Sequence, residues 1–489
     1  MKFHITIFFL LMALILRGQD AKQLTLQQVV DMAKNQSIAA RQAATTKETK
    51  YWEYRNFQSN YKPQLVLEGN LPAFSRSFIQ VIQPDGTVLF QPIKNNNSSV
   101  GLSLSQNISK TGGLLYATTQ LQRFDDFERK NKLYNGTLFA VGFNQPLFRF
   151  NPLKWDKKIE PLKYNESQQE YIESLELIAL NANNYFFDLL LGQVNLKIAE
   201  TNLTNTEGIL RIAREKFDIG KNSRNEILQL QLENLKAQKA VGTAKRDVEI
   251  TTLNLRSFMG LQGDEKIQLI APPVPKGGDN AQIASSFAMT SEKALKEAFD
   301  NRADAIGYQR RLLEAERNLT KAKADNGLNA TLNATLGFSN RGARVADLLN
   351  QPQNQQTVSI DFTMPILDWG RSQSRLKTAE ANRQLTQYTI EQDKQIFKQE
   401  IYTQVTLFDM LRSQLSLTAQ ADSIASEKYQ IAQDRYVLGN LSITDLSIAF
   451  TEKDQAKRDF IDALRNIWAA YYRLRWLTLY DFEKGEKIR

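Results

Sequence analysis

Cysteine is absent from all 489 residues, and the single histidine stands at position 4. Without cysteine the chain has no disulfide, no thiolate metal site, no thiol nucleophile and no N-terminal cysteine to take a lipid. Without a histidine beyond His4, a His-based catalytic triad is excluded as well. Glycine and proline are few, 23 and 12, so most of the chain can be regular structure. After position 16 no apolar run is long enough to cross a bilayer as a helix. If the chain sits in a membrane, the crossing must therefore be made by a closed β-barrel, because hydrocarbon offers no partner to an open sheet edge.

Charge excludes little more. Lys and Arg number 62 against 53 acids, but the excess is spread thinly and no basic run carries interleaved aromatics. No nucleic-acid partner is expected. The one long apolar run, 3–16, follows Lys2 and precedes Arg17-Gly18-Gln19, the pattern of a secretory signal spanning 1–18. A transmembrane anchor is the alternative, but it usually needs about 20 apolar residues. Cleavage would remove His4 with the signal.

What the chain has is an internal repeat. FNQPLF at 143–148 returns as FTMPIL at 362–367, placing Pro146 and Pro365 219 residues apart. AREKFDIG at 213–220 returns as AQDRYVLG at 432–439, so Gly220 and Gly439 share the same offset. The start of each half corresponds at a different offset: Ala33 aligns with Ala298, 265 residues on. The first half thus carries 46 extra residues, placed between Pro63 and Pro146. The expected division is a first repeat over 19–262, a Pro- and Gly-rich linker over 263–290, a second repeat over 291–480 and a charged tail over 481–489.

Each repeat mixes helix and strand. From Leu175 the apolar positions step by three and four through Ile178, Ala182, Leu189, Ala199 and Leu210 to Phe217, a coiled-coil seam. A second ladder runs from Phe397 to Tyr436. Each stops at its glycine and restarts, at Ile227 and at Leu446, which predicts two αα-hairpins with tips near 220 and 439. A helix from Trp155 to Phe217 would extend roughly 90 Å, far beyond an ordinary four-helix bundle. Period-2 alternation marks strands at 328–338 and 357–364, and the first half offers Leu65, Leu67 and Leu71, then Phe139, Val141 and Phe143. Between these, 100–122 reads as an additional hairpin that accounts for the 46-residue surplus. Strands of about 10 residues with one apolar face suit a membrane barrel, the alternative being a soluble sheet on a core. Trp155 and Trp369 stand near the strand-to-helix junctions, where interfacial aromatics belong. Two main strands per repeat cannot close a ring, whereas three chains would supply 12.

The mature sequence, 24–480, resembles the TolC-like outer membrane factors on these motifs: QPLF at 145–148, KFDIG at 216–220, MPILDWGRSQSRLKTAE at 364–380 and RYVLG at 435–439. The resemblance implies a mixed α and β homotrimer whose 12-stranded barrel in outer-membrane lipid continues into a periplasmic tunnel of helices. It implies a periplasmic adaptor (a membrane fusion protein) and an inner-membrane pump of RND or ABC type as partners. The tips meeting the adaptor would comprise Phe217, Ile219, Gly220 and Lys221, then Tyr436, Leu438, Gly439 and Asn440. Pro146, Pro365 and Trp369 would mark the strand-to-helix junctions. One member of the family closes its tunnel with Asp six and nine residues after the second tip glycine. Asp445 matches the first; Ile448 does not match the second, and Leu441 replaces an Arg of that member. Asp445 can equally be an acid at the positive end of a helix.

The expected function is a passive exit duct in tripartite efflux or type I secretion, without catalytic, cofactor or metal residues. Gly220-Lys221 is no P-loop, because Glu215 stands where a glycine is needed. A periplasmic coiled-coil spacer is the rival reading; it would share the heptads but has no use for alternating strands.

Overall fold

In the computed structural model the described residues are 22–220, 223–262, 266–273, 290–438 and 440–489. The signal segment, most of the 263–290 linker, Lys221 and Gly439 lie outside them. The first repeat runs β1 (Lys22–Leu24), α1 (Leu26–Gln36), α2 (Ile38–Ser59), β2 (Gln64–Asn70), β3 (Phe74–Ile82), β4 (Val88–Ile108), β5 (Gly113–Asp126) and β6 (Asn131–Leu147). It continues with α3 (Pro152–Asp218) and α4 (Arg224–Met259). Then come β7 (Ile267–Leu269), α5 (Ser291–Asn301), α6 (Ala303–Asp325), β8 (Asn329–Gly342), a 3₁₀ turn (Val345–Leu349) and β9 (Gln353–Thr363). The chain ends with α7 (Arg371–Val437), α8 (Ile443–Thr478), β10 (Tyr480–Asp481) and β11 (Glu486–Lys487).

The two offsets read from the sequence reappear in the element bounds. α3 and α7 each hold 67 residues, α4 and α8 each 36, and all four pairs of ends stand 219 apart. The helix starts at Leu26 and Ser291 stand 265 apart, and so do their caps. Thr25 Oγ1 accepts from the Gln28 N–H at 3.3 Å and Thr290 Oγ1 from the Lys293 N–H at 3.2 Å, satisfying donors that the first turn leaves free.

Two compact units result. One gathers the chain up to Glu48, Ser167–Ala305 and Lys394–Arg489; the other gathers Thr49–Glu166 and Ile306–Asp393. Each draws on both repeats, so neither repeat is a compact body by itself.

In the first unit the expected seams are buried at Ile178, Ala182, Leu189, Ala199 and Leu210 of α3, at Ile401, Phe408 and Leu415 of α7, and at Ile467, Leu474 and Leu477 of α8. The middle of α3 departs from a simple seam, since Phe186, Phe187, Leu189 and Leu190 are all buried. Apolar residues of α1 (Val29, Val30), α4 (Leu255, Met259) and α5 (Ala294, Ala298) join the same cluster. Three- and four-residue spacing reveals only the face a helix turns to one neighbour, whereas here several elements converge. Part of the expected linker is also regular: Ile267–Leu269 pairs in parallel with Lys22–Leu24 and buries Ile267, Leu269 and Leu24. The charged tail forms the small hairpin β10–β11.

The second unit holds an antiparallel sheet in the order β2-β4-β5-β6-β8-β9, with β3 also on β4. β2 pairs with residues 99–105 of β4 and β3 with 88–96, so the two lie in series along one side of it. The four expected strands, β2, β6, β8 and β9, are present, and β8 pairs with β9. The additional hairpin is present too, and it enters the same sheet as β4 and β5. The first repeat therefore supplies four strands to the path instead of the two expected of it, because β2 bonds to β4 and has no pairing with β6.

Candidate channel wall and docking tips

Register divides the sheet into two chemically different faces. Leu67↔Leu102↔Thr119 and Val141↔Leu336↔Gln356 lie on one face, with Leu65, Leu104, Leu115, Phe139, Phe143, Val358, Ile360 and Phe362. Most of these apolar side chains are exposed in the single chain. The opposite face carries Glu68, Ser103, Ser105, Thr118, Gln120, Asn144, Asn333, Thr335 and Asp361. Period-2 alternation is the cause, since each one-residue step turns the side chain over. Such a surface has one side for hydrocarbon and one for water.

The polar face is cross-linked. Asn144 Nδ2 donates to Asn333 Oδ1 at 2.5 Å, and Asn333 Nδ2 to Asp361 Oδ2 at 2.7 Å, bridging β6, β8 and β9. Tyr116 of β5 lies across Gly142, its register partner on β6, and its hydroxyl meets Thr335 Oγ1 of β8 at 2.9 Å. A Cβ on Gly142 would stand 2.1 Å from Tyr116 Cζ, so only glycine leaves room for the ring. Sequence reasoning missed these partners, which depend on register between strands distant in sequence. On the apolar face the 3₁₀ turn folds back, burying Leu348 over Gly136. Asn340 Nδ2 holds it through the carbonyls of Asp347, Leu348 and Asn350.

At the junctions, Pro146 is still paired, with Thr331, whereas Pro365 stands beyond the end of β9, after Met364. Ile366 and Trp369 beside it are 92% and 90% exposed, and Phe148 and Leu367 are exposed as well. Asp368 caps α7, accepting from the N–H of Ser372 at 2.8 Å and of Gly370 at 3.1 Å.

The tips follow from cap chemistry. α3 ends at Asp218, and Gly220 has φ +75°, a conformation that glycine adopts without a steric penalty. Ser223 and Glu226 then form a reciprocal capping box that starts α4. After α7 the Asn440 N–H reaches back to the Arg435 carbonyl at 2.9 Å, and Ser442 caps α8. Phe217, Ile219 and Leu438 are exposed, the last two at 69% and 75%. Tyr436 is buried under the Lys216 ammonium, 5.3 Å from its ring centre, so it supports the tip from inside; burial raises its hydroxyl pKa. Asp445 lies in the first turn of α8, exposed, and accepts from the Ser442 hydroxyl at 2.7 Å. The other two tip positions, Lys221 and Gly439, are outside the described residues.

The helical unit also buries charge that the sequence did not announce. Glu176 is fully buried and accepts from Lys34 Nζ at 2.5 Å and Arg475 Nε at 3.0 Å. Arg475 also pairs with Asp481. Burial alone would raise both carboxyls, but the bonds and charge of Arg475, with Lys34 at Glu176, hold both below their usual values. One turn earlier, Glu173 accepts from the Ala303 N–H at 2.8 Å and from Arg302 at 3.0 Å, and burial keeps it raised. These pairs fasten α1, α5 and α8 to α3. Among the described residues no cluster of His, Cys, Asp and Glu could hold a metal ion, and no helix is long and apolar enough to cross a membrane.

The outer membrane efflux protein family model matches residues 93–261 and 322–478. The cation efflux system protein CusC of Escherichia coli K12 is 23% identical over 319 residues, 64% of this chain and 66% of CusC. The probable outer membrane lipoprotein SilC of Salmonella typhimurium is 22% identical over 353 residues, 71% of this chain and 70% of SilC. The chain thus spans about two thirds of these curated relatives. Among solved structures, the outer-membrane channel OprN superposes with a TM-score of 0.65 at 14% identity, covering 94% of this chain and 90% of OprN. The CmeC channel of Campylobacter jejuni gives 0.64 at 16%, covering 95% and 86%. With both halves of its duplicated sequence matched, the chain belongs to the outer membrane efflux protein family.

Proposed function

We propose that three copies of this chain form a passive outer-membrane exit duct, the channel subunit of a tripartite efflux or type I secretion system. The observation that carries the reading is the sheet: one face apolar and exposed, the other polar, with β2 and β9 each left with an open edge. Another copy at each edge closes such a sheet; a spacer would have no use for it. On α7 a second stripe supports association, since Met410, Leu417, Ile424 and Ile431 are exposed at seven-residue intervals, a heptad seam without a partner in the single chain.

In this reading 1–18 is the export signal, 19–262 and 291–480 are the repeats, and 263–290 joins them. The hairpin tips around Ile219, Gly220, Leu438 and Gly439 receive the periplasmic adaptor, through which an RND or ABC pump in the inner membrane delivers cargo. Asp445 is the candidate constriction. No catalytic centre or cofactor is required. A passive duct imposes little selectivity by itself, so pump and adaptor choose the cargo.

Fractionation of membranes on a sucrose gradient, with microscopy of the purified particle, tests the reading. The protein is expected in the outer-membrane fraction as a three-fold particle with a central hole. A soluble single chain, or a rod without a hole, would overturn it.

A further inference from the structure

We infer that the surplus hairpin of the first repeat is part of the barrel wall, so that a ring of three copies has eighteen strands rather than twelve. The inference rests on the three-copy duct proposed above. Four observations carry it.

First, the hairpin is not an appendage. β5 pairs with β4 from Asn95↔Asp126 to Ile108↔Gly113, and with β6 from Leu114↔Asn144 to Asp126↔Asn131. β2 joins the sheet only through β4, so lifting β4 and β5 out of the wall would leave β2 without a neighbour.

Second, the two-faced chemistry continues through the hairpin. Leu102, Leu104 and Leu115 are exposed on the apolar face, while Ser103, Thr118 and Gln120 lie on the polar one. A plug folded into water or a loop lying on the surface would not need this alternation over both strands.

Third, Tyr116 on β5 reaches across Gly142 to Thr335, locking the additional hairpin to the second repeat's first strand. At its lower turn the hairpin is tied down again. Asn151 Nδ2 donates to the Ser109 carbonyl at 3.0 Å, and Gln106 Nε2 to the Tyr61 carbonyl at 2.9 Å. The turn at 109–112 is thereby held to the end of the α2 segment and the start of α3.

Fourth, the six strands alternate in direction, leaving β2 and β9 as edges of opposite sense. An even number lets the edge of one copy meet the next copy in antiparallel pairing, so the ring closes without a parallel seam.

The consequence is the bore. At equal strand tilt a barrel's diameter grows in proportion to strand number, so eighteen strands give a ring about 1.5 times as wide as twelve. The cross-section rises roughly twofold, into the range where barrels enclose open water.

Counting the strands at membrane level by electron cryomicroscopy of the full-length particle in lipid nanodiscs decides the matter. Three copies and eighteen strands are expected. Three copies with twelve strands would overturn the inference and leave the duct standing; a ring of two copies with twelve strands would overturn the inference and the three-copy reading together. The absence of native cysteine allows a second measurement. Single Ser103→Cys and Gln120→Cys variants should react with a membrane-impermeant maleimide, and Leu102→Cys only with a bilayer-soluble one. Aqueous labelling of all three would remove the hairpin from the wall.

Discussion

Gly260 and Leu479 stand 219 residues apart, each as the residue closing the second helix of its hairpin, and both are left-handed, with φ +71° and +47°. Duplication kept the backbone and exchanged the side chain. Leu479 is fully buried, and its N–H reaches the Arg475 carbonyl at 2.7 Å. A Cβ on Gly260 would stand 3.2 Å from the Gln36 carbonyl oxygen. Gly260→Ala is expected to cost about 1–2 kcal/mol through the left-handed conformation. Leu479→Gly relieves a similar strain but exposes a leucine site worth about 1.5–3 kcal/mol, so it too should destabilise, by about 1 kcal/mol. Denaturant unfolding followed by circular dichroism checks both, and a more stable Leu479→Gly protein would contradict the balance.

Acid should loosen the helical unit through Glu176 and Asp481. Their folded pKa values lie below the ordinary carboxylate value, so their contribution is fully present above that value and lost as pH falls through the depressed one. Glu173 works in the opposite sense: its raised pKa favours the protonated folded form, so its contribution is present below the ordinary value and lost as pH rises. Glu176→Gln should therefore flatten the loss of stability below about pH 4, whereas Glu173→Gln should abolish a gain in stability that sets in above that value as pH falls toward it. At neutral pH, Glu176→Gln should cost about 3 kcal/mol, near the lower end for a broken buried pair, because Arg475 keeps Asp481. Melting temperatures measured from pH 3 to 7 separate the two carboxylates.

Much of the architecture was legible because it depends on short-range periodicity. The seam through Ile178, Ala182 and Leu189, the alternation at 328–338, and the glycine tip at Gly220 are local signals, and the duplication offered each of them a second time. Three kinds of feature were not legible. The all-round burial of Phe186 and Phe187 requires knowing that α1, α4 and α5 converge on one stretch of α3. The Glu176–Arg475 pair joins residues 299 apart in sequence. The full membership of β4 and β5 in the sheet depends on register, which period 2 alone does not fix. At the candidate site, the exposure of Ile219 and Leu438 agrees with a docking role, whereas Tyr436 points inward.

The Tyr116–Gly142 pair gives a compensation test of the wall. Gly142→Ala drives a methyl into the tyrosine ring and should cost about 1–3 kcal/mol, as overpacking does. Tyr116→Ala removes the ring and its bond to Thr335. If the two act only on each other, the double variant should recover most of the loss due to Gly142→Ala, giving a coupling of at least about 1 kcal/mol. Heat-modifiable migration on gels reads barrel stability directly. Strictly additive losses would mean that the ring does not lie over Gly142 in the assembled barrel.

The last prediction concerns the tips. Ile219 and Leu438 are exposed apolar residues, each followed in the sequence by a glycine, and exposed positions usually tolerate substitution within about 0.5 kcal/mol. Ile219→Asp and Leu438→Asp should therefore leave folding and the three-copy particle intact. If these side chains enter a desolvated contact with the adaptor, a carboxylate there must be buried unpaired, and adaptor capture should fall at least tenfold, about 1.4 kcal/mol. Gly439→Arg, which adds bulk and charge at the second tip, should do the same. Pull-down of the adaptor, efflux in cells and native-gel migration are measured side by side. Undiminished capture and efflux with all three variants would move the docking surface away from the tips, while loss of the particle in Ile219→Asp would make that residue part of the assembly's own packing.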